Sequence, residues 1–522
     1  MSTSPVPSDS KICLKEMAVP GLLAALQFIL QVAFHDRYGY FRDELYYIAC
    51  SDHLAWGYVD HPPLSIALLW LSRAVLGDSL QAIRLLPSVA GAAVVILAAL
   101  MARRLGGSRS AQGLASLAVL VAPVLLGHGR YFSMNPFDVL FWAVALYILV
   151  LVFSGGSPRL WLLFGGAIGV GLLNKYSIGF LCLALVAGLV LTPHRRSLLN
   201  GWFWLGVLVA GLLFLPHVLW QVSTGFPSLE FMRNASTHKN VDLGVVEFLM
   251  GQVAFANHAA APLWLLGAYF FLVRPESRPY RPLGWMYVGT VALMVATNAK
   301  VYYLSPVYPL LFAGGAVCAE RIVRGRVWKW LRPAYAVLLV AAGLVALPFA
   351  LPVLPVDSFI AYQDRLGMKP KAEEVNRVGL LPQSYADQFG WEEFVGLIAG
   401  AYSTLSPEER ARCVIFVRNY GQAGAVDFFG GEHGLPGAIC PHNSYWLWGP
   451  GTRTGAVSIV VGAHRSLEEN LEDLRGAFEE VTLVGTTDSK YAMPFEVGRQ
   501  LFLCRGMRTT FQEIWPAEKV FI

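Results

Sequence analysis

The chain has 522 residues, 55% of them hydrophobic and 14% charged, where an ordinary soluble domain carries roughly a quarter charged residues; the balance excludes a purely water-soluble fold and marks a polytopic membrane protein. The formal net charge of +5 falls, in such a protein, on loops retained on the cytoplasmic side, so no nucleic-acid partner follows from it. The seven cysteines show no metal-ligand spacing, and no metal site is expected from them.

The N-terminal stretch "MSTSPVPSDSKICLKEMAVPGLLAALQFILQVAF" has a weakly basic lead and an apolar run without a clear small-residue cleavage site, and reads as a retained first helix rather than a signal peptide. A spanning helix needs about 20 largely apolar residues. On that rule runs near 17–34, 85–102, 111–127, 137–153, 160–173, 176–192, 201–219, 261–273, 283–298, 303–319 and 334–351 predict about eleven transmembrane helices. Between the first two, "YFRDELYYIACSDHLAWGYVDHPPLS" places Arg42, Asp43, Glu44, Asp52, His53, Asp60 and His61 in one loop. The segment "PPLSIALLWLSRAVLG", led by two prolines and interrupted by Arg73, fits an interfacial helix. With the N-terminus inside, the cytoplasmic pieces "ARRLGGSR", "SGGSPR", "TPHRRS", "RPESRPYRP" and "ERIVRGRVWKWLRP" are basic almost without acidic relief, as cytoplasmic loops are.

After Leu351 the character changes, and a charged, mixed region runs to Ile522. The division predicts a transmembrane domain over 1–351 and a soluble α/β domain over 352–522. Short β-rich runs ("CVIFVRN", "AVSIVVG", "QLFLCRG") alternate there with helical patterns such as "SLEENLEDLRGAF". No internal repeat or low-complexity segment is present.

The same topology puts the Asp43 loop, "HGRYFSMNPFD", "LNKYS" and "NAKVYY" on the outer face. Carboxylates and lysines bordering apolar helices are costly unless paired or used. Asp138, a few residues into "FDVLFWAVALYILVL", either partners Arg130 or Lys175 or borders a site. Asp43 and Glu44 are adjacent, so on a helix their side chains diverge by about 100° and only one aims into a given pocket. A desolvated carboxylate is a stronger base, suited to taking a proton from a hydroxyl, and a nearby cation suits a phosphate leaving group. In the C-terminal region Trp446, Trp448, Tyr445, His442 and Asn443 either stack on a sugar or pack the domain's own core. "NYGQAGAVDFFG" follows a strand but lacks the G-x-G-x-x-G spacing of a nucleotide site.

The stretches "RDELYY", "DHPPLSIALLWLSRAVLGDSLQAIRLLPSVAGAAVV", "RLGGSRSAQGLASLAVLVAP", "SMNPFDVLFWA", "GLLNKYSIGF" and "NAKVYYLSPVYPLL" resemble the membrane glycosyltransferases of the GT-C fold. Within it the chain looks closest to glycosyltransferase family 39, the bacterial relatives of protein O-mannosyltransferases, and more distantly to the lipid A aminoarabinose transferases. The resemblance covers roughly residues 17 to 320, and its most specific part is the Asp-Glu pair followed by "HPPL".

The resemblance implies that Asp43 is the catalytic carboxylate, a general base on the acceptor hydroxyl, with Glu44 its helix neighbour at the substrate-binding site, and that Asp138 is the second acidic position bordering the active site. His61 stands where the aminoarabinose transferases carry a lysine expected to contact the lipid phosphate; neutral imidazole donates less charge than ammonium. Lys300 and Tyr303 match the family's phosphate-contacting Lys and Tyr, and Lys175 matches in "LNKYS". The implied donor is a polyprenyl-phosphate sugar, with no cofactor and no metal, used on the periplasmic side of a bacterial inner membrane. The acceptor stays open among lipid, glycan and protein, and the sugar between a hexose and a modified pentose. A lipid or glycolipid transporter or flippase is the alternative; such proteins tend to show internal repeats with broken helices near the midplane.

Overall fold

The computed structural model describes residues 16–239, 241, 243–323, 330–372 and 374–522; Cys13 and part of the basic loop "ERIVRGRVWKWLRP" lie outside them. In chain order the helices up to the middle of the chain are α1 (Ala18–Val32), α2 (Arg42–Asp52), α3 (Leu64–Leu76), α4 (Leu80–Arg104), α5 (Arg109–Leu120), α6 (Pro123–His128), α7 (Met134–Phe153), α8 (Leu160–Asn174), α9 (Ile178–Val190) and α10 (Gly201–Ser223). They continue as α11 (Pro227–His238), α12 (Val245–Phe255), α13 (Ala261–Leu272), α14 (Arg281–Ala296), α15 (Tyr308–Ile322) and α16 (Leu331–Ala350). Each of the eleven apolar segments is helical. Among the described residues five helices are long and apolar enough to cross a membrane, or up to seven when each bent pair is taken as one span. The difference from eleven comes from length: α1 and α8 have 15 residues each, roughly 22 Å of helix against a hydrocarbon core of about 30 Å.

The chain forms two compact units. The first takes Met1–Arg37, Leu76–Leu219 and Asp242–Leu354; the second takes Tyr38–Val75, Trp220–Val241 and Pro355–Ile522. The second unit thus takes two earlier segments, Tyr38–Val75 and Trp220–Val241, together with the C-terminal region from Pro355.

In the first unit one apolar core runs from Ala24 to Leu339. Lipid tails are as apolar as leucine, so helices associate there by close packing rather than by escape from water. The α13–α15 pair shows how: a Cβ on Gly267 would collide with the Leu311 carbonyl, and one on Gly315 with the Leu263 carbonyl.

The second unit adds α17 (Val356–Arg365), α18 (Gln383–Ala386), α19 (Trp391–Ser403), α20 (Pro407–Arg412), β1 (Cys413–Phe416), α21 (Tyr420–Phe429), β2 (Ala438–Ile439), α22 (Ser444–Trp448), β3 (Val457–Val461), α23 (Leu467–Ala477), β4 (Phe478–Thr486), β5 (Gln500–Met507) and α24 (Phe511–Ile514). Its five-stranded sheet has the order β2-β1-β3-β5-β4. β1 pairs in parallel with β2 and β3, whereas β5 runs antiparallel to β3 and β4. β1 and β3 are buried along their whole length, which explains their unbroken apolar runs. The three expected strands are β1, β3 and β5, and the expected helix "SLEENLEDLRGAF" is α23, begun by a capping box at Ser466 and Glu469. Val414, Phe416, Ile439, Val460, Phe502 and Trp515 form the centre of this core, each large apolar side chain contributing about 1.5–3 kcal/mol on burial.

Candidate active site

In the second unit, α2 carries the Asp-Glu pair in its first turn, where the helix dipole favours negative charge. The preceding Phe41 is extended and has no polar side chain to cap with. Glu44 takes that role from within, its Oε2 accepting the Phe41 N–H at 2.8 Å while the side chain is fully buried. Glu44 is thereby engaged in starting the helix. Asp43, about 100° around the axis, is half-buried and accepts a hydrogen bond from the Tyr420 hydroxyl at 3.0 Å.

Burial raises the Asp43 pKa above the ordinary carboxylate value; the charges of Arg42 and Lys239 and the Tyr420 hydroxyl oppose that rise, and Glu374 adds to it. Arg42 lies over the Tyr420 ring at 4.5 Å and the Phe495 ring at 5.3 Å. Lys239 reaches Glu374 at 3.8 Å. Asp387 is buried, and burial first, then the Asp43 and Glu374 charges, push its carboxyl up to about 7 against the pull of Arg42.

His61 also belongs to this unit. Its Nδ1–H donates to the Pro62 carbonyl at 3.0 Å, since a carbonyl only accepts. Its ring is fully buried among Tyr46, Tyr47 and Tyr58, with centroids at 6.1, 4.8 and 4.9 Å. The Asp60 carboxylate stands 3.9 Å from Nε2 and accepts from Tyr46 at 2.8 Å. The imidazole is thus a packing element of the loop with no exposed surface for a phosphate. The interfacial reading of α3 finds Trp70, Leu71, Val75 and Leu76 exposed, while Arg73 ties the helix back to Asp52 at 2.7 Å.

In the first unit, α7 presents Asp138 to the short break between α8 and α9. Lys175 is extended there, and Ser177 precedes the first turn of α9. The Ser177 hydroxyl lies 2.8 and 2.7 Å from the two Asp138 oxygens, its one proton shared between them, and Lys175 Nζ is 3.5 Å from Oδ2. Lys175 also donates to Asn135 at 2.8 Å and lies over the Tyr303 ring at 4.3 Å. Of the two partners considered for Asp138, Lys175 is the one found; Arg130 instead donates to the carbonyls of Phe349 and Ala350 at 3.1 and 3.3 Å. Lys300 is half-buried at the N-terminus of a 3-10 turn, Val301–Val307, that carries Tyr303.

The aromatic stretch of the C-terminal region packs its own core. The Trp446 and Trp515 indoles each donate to the other's carbonyl at 2.9 Å, Tyr445 donates to Asp427 at 2.6 Å, and His442 donates to the Ile522 carbonyl at 2.8 Å. Asn443 accepts from the Ile522 N–H at 3.1 Å. Trp448 stacks on His53 at 4.2 Å. Sequence reasoning did not single out Lys239, Tyr420, Glu374 or Asp387. The signals were a long polar connection after α10 and the glycines of "NYGQAG". Among the described residues no group of three or more His, Cys, Asp or Glu side chains is placed to hold a metal ion.

Residues 60–220 match the family model described as Dolichyl-phosphate-mannose-protein mannosyltransferase. The Undecaprenyl phosphate-alpha-4-amino-4-deoxy-L-arabinose arabinosyl transferase of Pseudomonas paraeruginosa (strain DSM 24068 / PA7) is 30% identical over 190 residues, 35% of this chain and 34% of that protein, so the match spans about a third of that relative. The Lipopolysaccharide core galacturonosyltransferase RgtA of Rhizobium johnstonii is 26% identical over 360 residues, 64% of this chain and 68% of its own length. Among solved structures, ArnT from Cupriavidus metallidurans bound to undecaprenyl phosphate aligns with a TM-score of 0.59 at 16% identity, covering 92% of this chain and 97% of that one. The chain thus shares the fold of ArnT over nearly its whole length and is similar in sequence, over part of it, to membrane glycosyltransferases.

Proposed function

We propose that the protein is an integral membrane glycosyltransferase that moves a sugar from a polyprenyl-phosphate donor to an acceptor hydroxyl on the periplasmic face of a bacterial inner membrane. The observation that carries this reading is Asp43: a carboxylate in the first turn of α2, made more basic by burial and hydrogen-bonded by a single tyrosine, in a chain whose named relatives are glycosyltransferases of lipid-envelope sugars. A carboxylate with a raised pKa is matched to proton abstraction near neutral pH.

The reaction is one displacement. The acceptor oxygen forms a bond to the anomeric carbon, its proton passes to Asp43, and the bond from that carbon to the phosphate oxygen breaks, releasing the lipid phosphate with inversion. Lys175, Lys300 and Tyr303 of the first unit are the phosphate contacts that the family resemblance suggests, and within that unit Asp138 holds the Lys175 ammonium in place. Glu44 supports α2 from inside the helix start. The leaving group departs as a phosphate anion, which charge-assisted donors stabilise.

The test compares extracted membrane lipids by mass spectrometry from cells whose only copy is wild type or Asp43→Asn. Accumulation of one polyprenyl-phosphate sugar in the variant supports the transferase and names its donor. Identical lipid pools, with the variant folded and abundant, remove Asp43 from the chemistry and return the transporter reading.

A further inference from the structure

The α/β layer of the second unit meets α2 mainly along α21, with Ser444 of α22 also hydrogen-bonded to Tyr46 at 2.7 Å, and the approach of α21 is close. The chain leaves β1 for β2 on one side and later returns to β3 on the other. Open α/β sheets bind ligands at such a reversal, outside the carboxyl ends of the strands. Here that end of β1 leads into α21, and Glu496 fills the place at the helix start where an anion would sit. Its two oxygens accept from Asn419 Nδ2 at 2.8 Å and Gln422 Nε2 at 2.7 Å. Asn419 in turn caps α21 by accepting the Gln422 N–H at 3.0 Å.

The first turn of α21 is then pressed against α2. A Cβ on Gly421 would stand 2.6 Å from Arg42 Cγ, and one on Gly424 2.6 Å from the Leu45 carbonyl oxygen. Glycine at both positions lets the helices close until the Tyr420 hydroxyl reaches Asp43. The tyrosine ring has little room to swing, since it packs on Tyr46 and His442 with centroids at 4.7 and 4.8 Å and carries the Arg42 guanidinium on its face. The Arg42 N–H is fixed as well, donating to the Asp387 carbonyl at 2.9 Å.

We propose that Tyr420 is a positioning residue for Asp43: its hydroxyl proton holds Oδ1, so that the acceptor's proton is taken at Oδ2, and the α/β layer is a working part of the site rather than an appended module. This rests on the reading of Asp43 as the base. The other ionisable groups facing Asp43 are Arg42 and Tyr47 on its own helix, Lys239 after α11, and Glu374 and Asp387 from the segment before α19.

The test needs no knowledge of the donor. Full-length protein in detergent is treated with dicyclohexylcarbodiimide, which modifies protonated buried carboxyl groups, and peptide mass spectrometry follows the adduct on Asp43 against pH. Tyr420→Phe keeps the ring and removes the donor to the carboxylate, so the midpoint rises by about one pH unit. Gly424→Ala pushes α21 off α2 and moves the midpoint the same way. In cells, Tyr420→Phe accumulates part of the lipid that Asp43→Asn accumulates. A Tyr420→Phe midpoint equal to wild type overturns the proposal, whatever Gly424→Ala does to folding. The two readings fail separately: an unmoved midpoint with a lipid-accumulating Asp43→Asn sinks only the role of Tyr420, whereas unchanged lipids in Asp43→Asn sink the base.

Discussion

Two carboxylates, one in each unit, share the first turns of a helix and meet opposite surroundings. Asp138 is 2% exposed, shares the one Ser177 hydroxyl proton between its two oxygens and faces the Lys175 ammonium. Asp43 is half-buried and is held by one tyrosine hydroxyl, with arginine and lysine charges nearby. A buried charge with both oxygens engaged is stable because it is occupied. One that is desolvated and lightly held keeps a lone pair for a substrate proton, which is the property the proposed role of Asp43 requires.

The comparison breaks most visibly at Asp43. Asp43→Asn lowers turnover roughly 10²- to 10⁴-fold, read as donor accumulation in cell lipids, while thermal unfolding of the purified variant changes little. At Asp138 the order reverses. Lys175→Met leaves a buried carboxylate without its cation and costs about 3–5 kcal/mol in detergent unfolding, and adding Asp138→Asn recovers much of the loss; equal stability of single and double variants would dissolve the contrast.

Asp387 sharpens the comparison through pH. Its carboxyl is pushed up to about 7 by burial, so the folded state holds a proton that the unfolded chain releases near pH 4. Stability contributed by this group is therefore full below about pH 4 and falls as pH rises towards 7. Asp387→Asn flattens that fall, raising the unfolding midpoint at pH 8 and leaving it unchanged at pH 4. The smallest effect belongs to Tyr303→Leu, which removes the ring under Lys175 at a cost of about 0.5–2 kcal/mol, measured against wild type in the same unfolding assay.

The legible parts of this fold were those with local causes. The short β-rich runs of β1 and β3 and the helical pattern of α23 were readable locally; their burial and the capping box at Ser466 are what the structure adds. The divergence of Asp43 from Glu44 followed from helix geometry, and Glu44 turns inward to the Phe41 N–H. β4 was not foreseen because its burial pattern is that of a largely exposed edge strand, and β2 because it has two residues. His61 matched a motif position, yet three tyrosines enclose it; a motif gives the place in the chain and not the packing around it. Tyr420 and Lys239 reach Asp43 from segments that no periodicity links to the first loop, so their pairing belongs to tertiary structure.

The interleaved make-up of the second unit has a consequence for biosynthesis. Tyr420 lies 377 residues after Asp43, and at about 5–20 residues per second the ribosome needs roughly 20 to 75 s to bridge that interval. Throughout it α2 lacks the helix that brings Gly421 and Gly424 against it, and Asp43 lacks its tyrosine. The nascent chain therefore inserts its first helices before this pairing can form, and the carboxylate proposed as the base is set only with about the last fifth of translation.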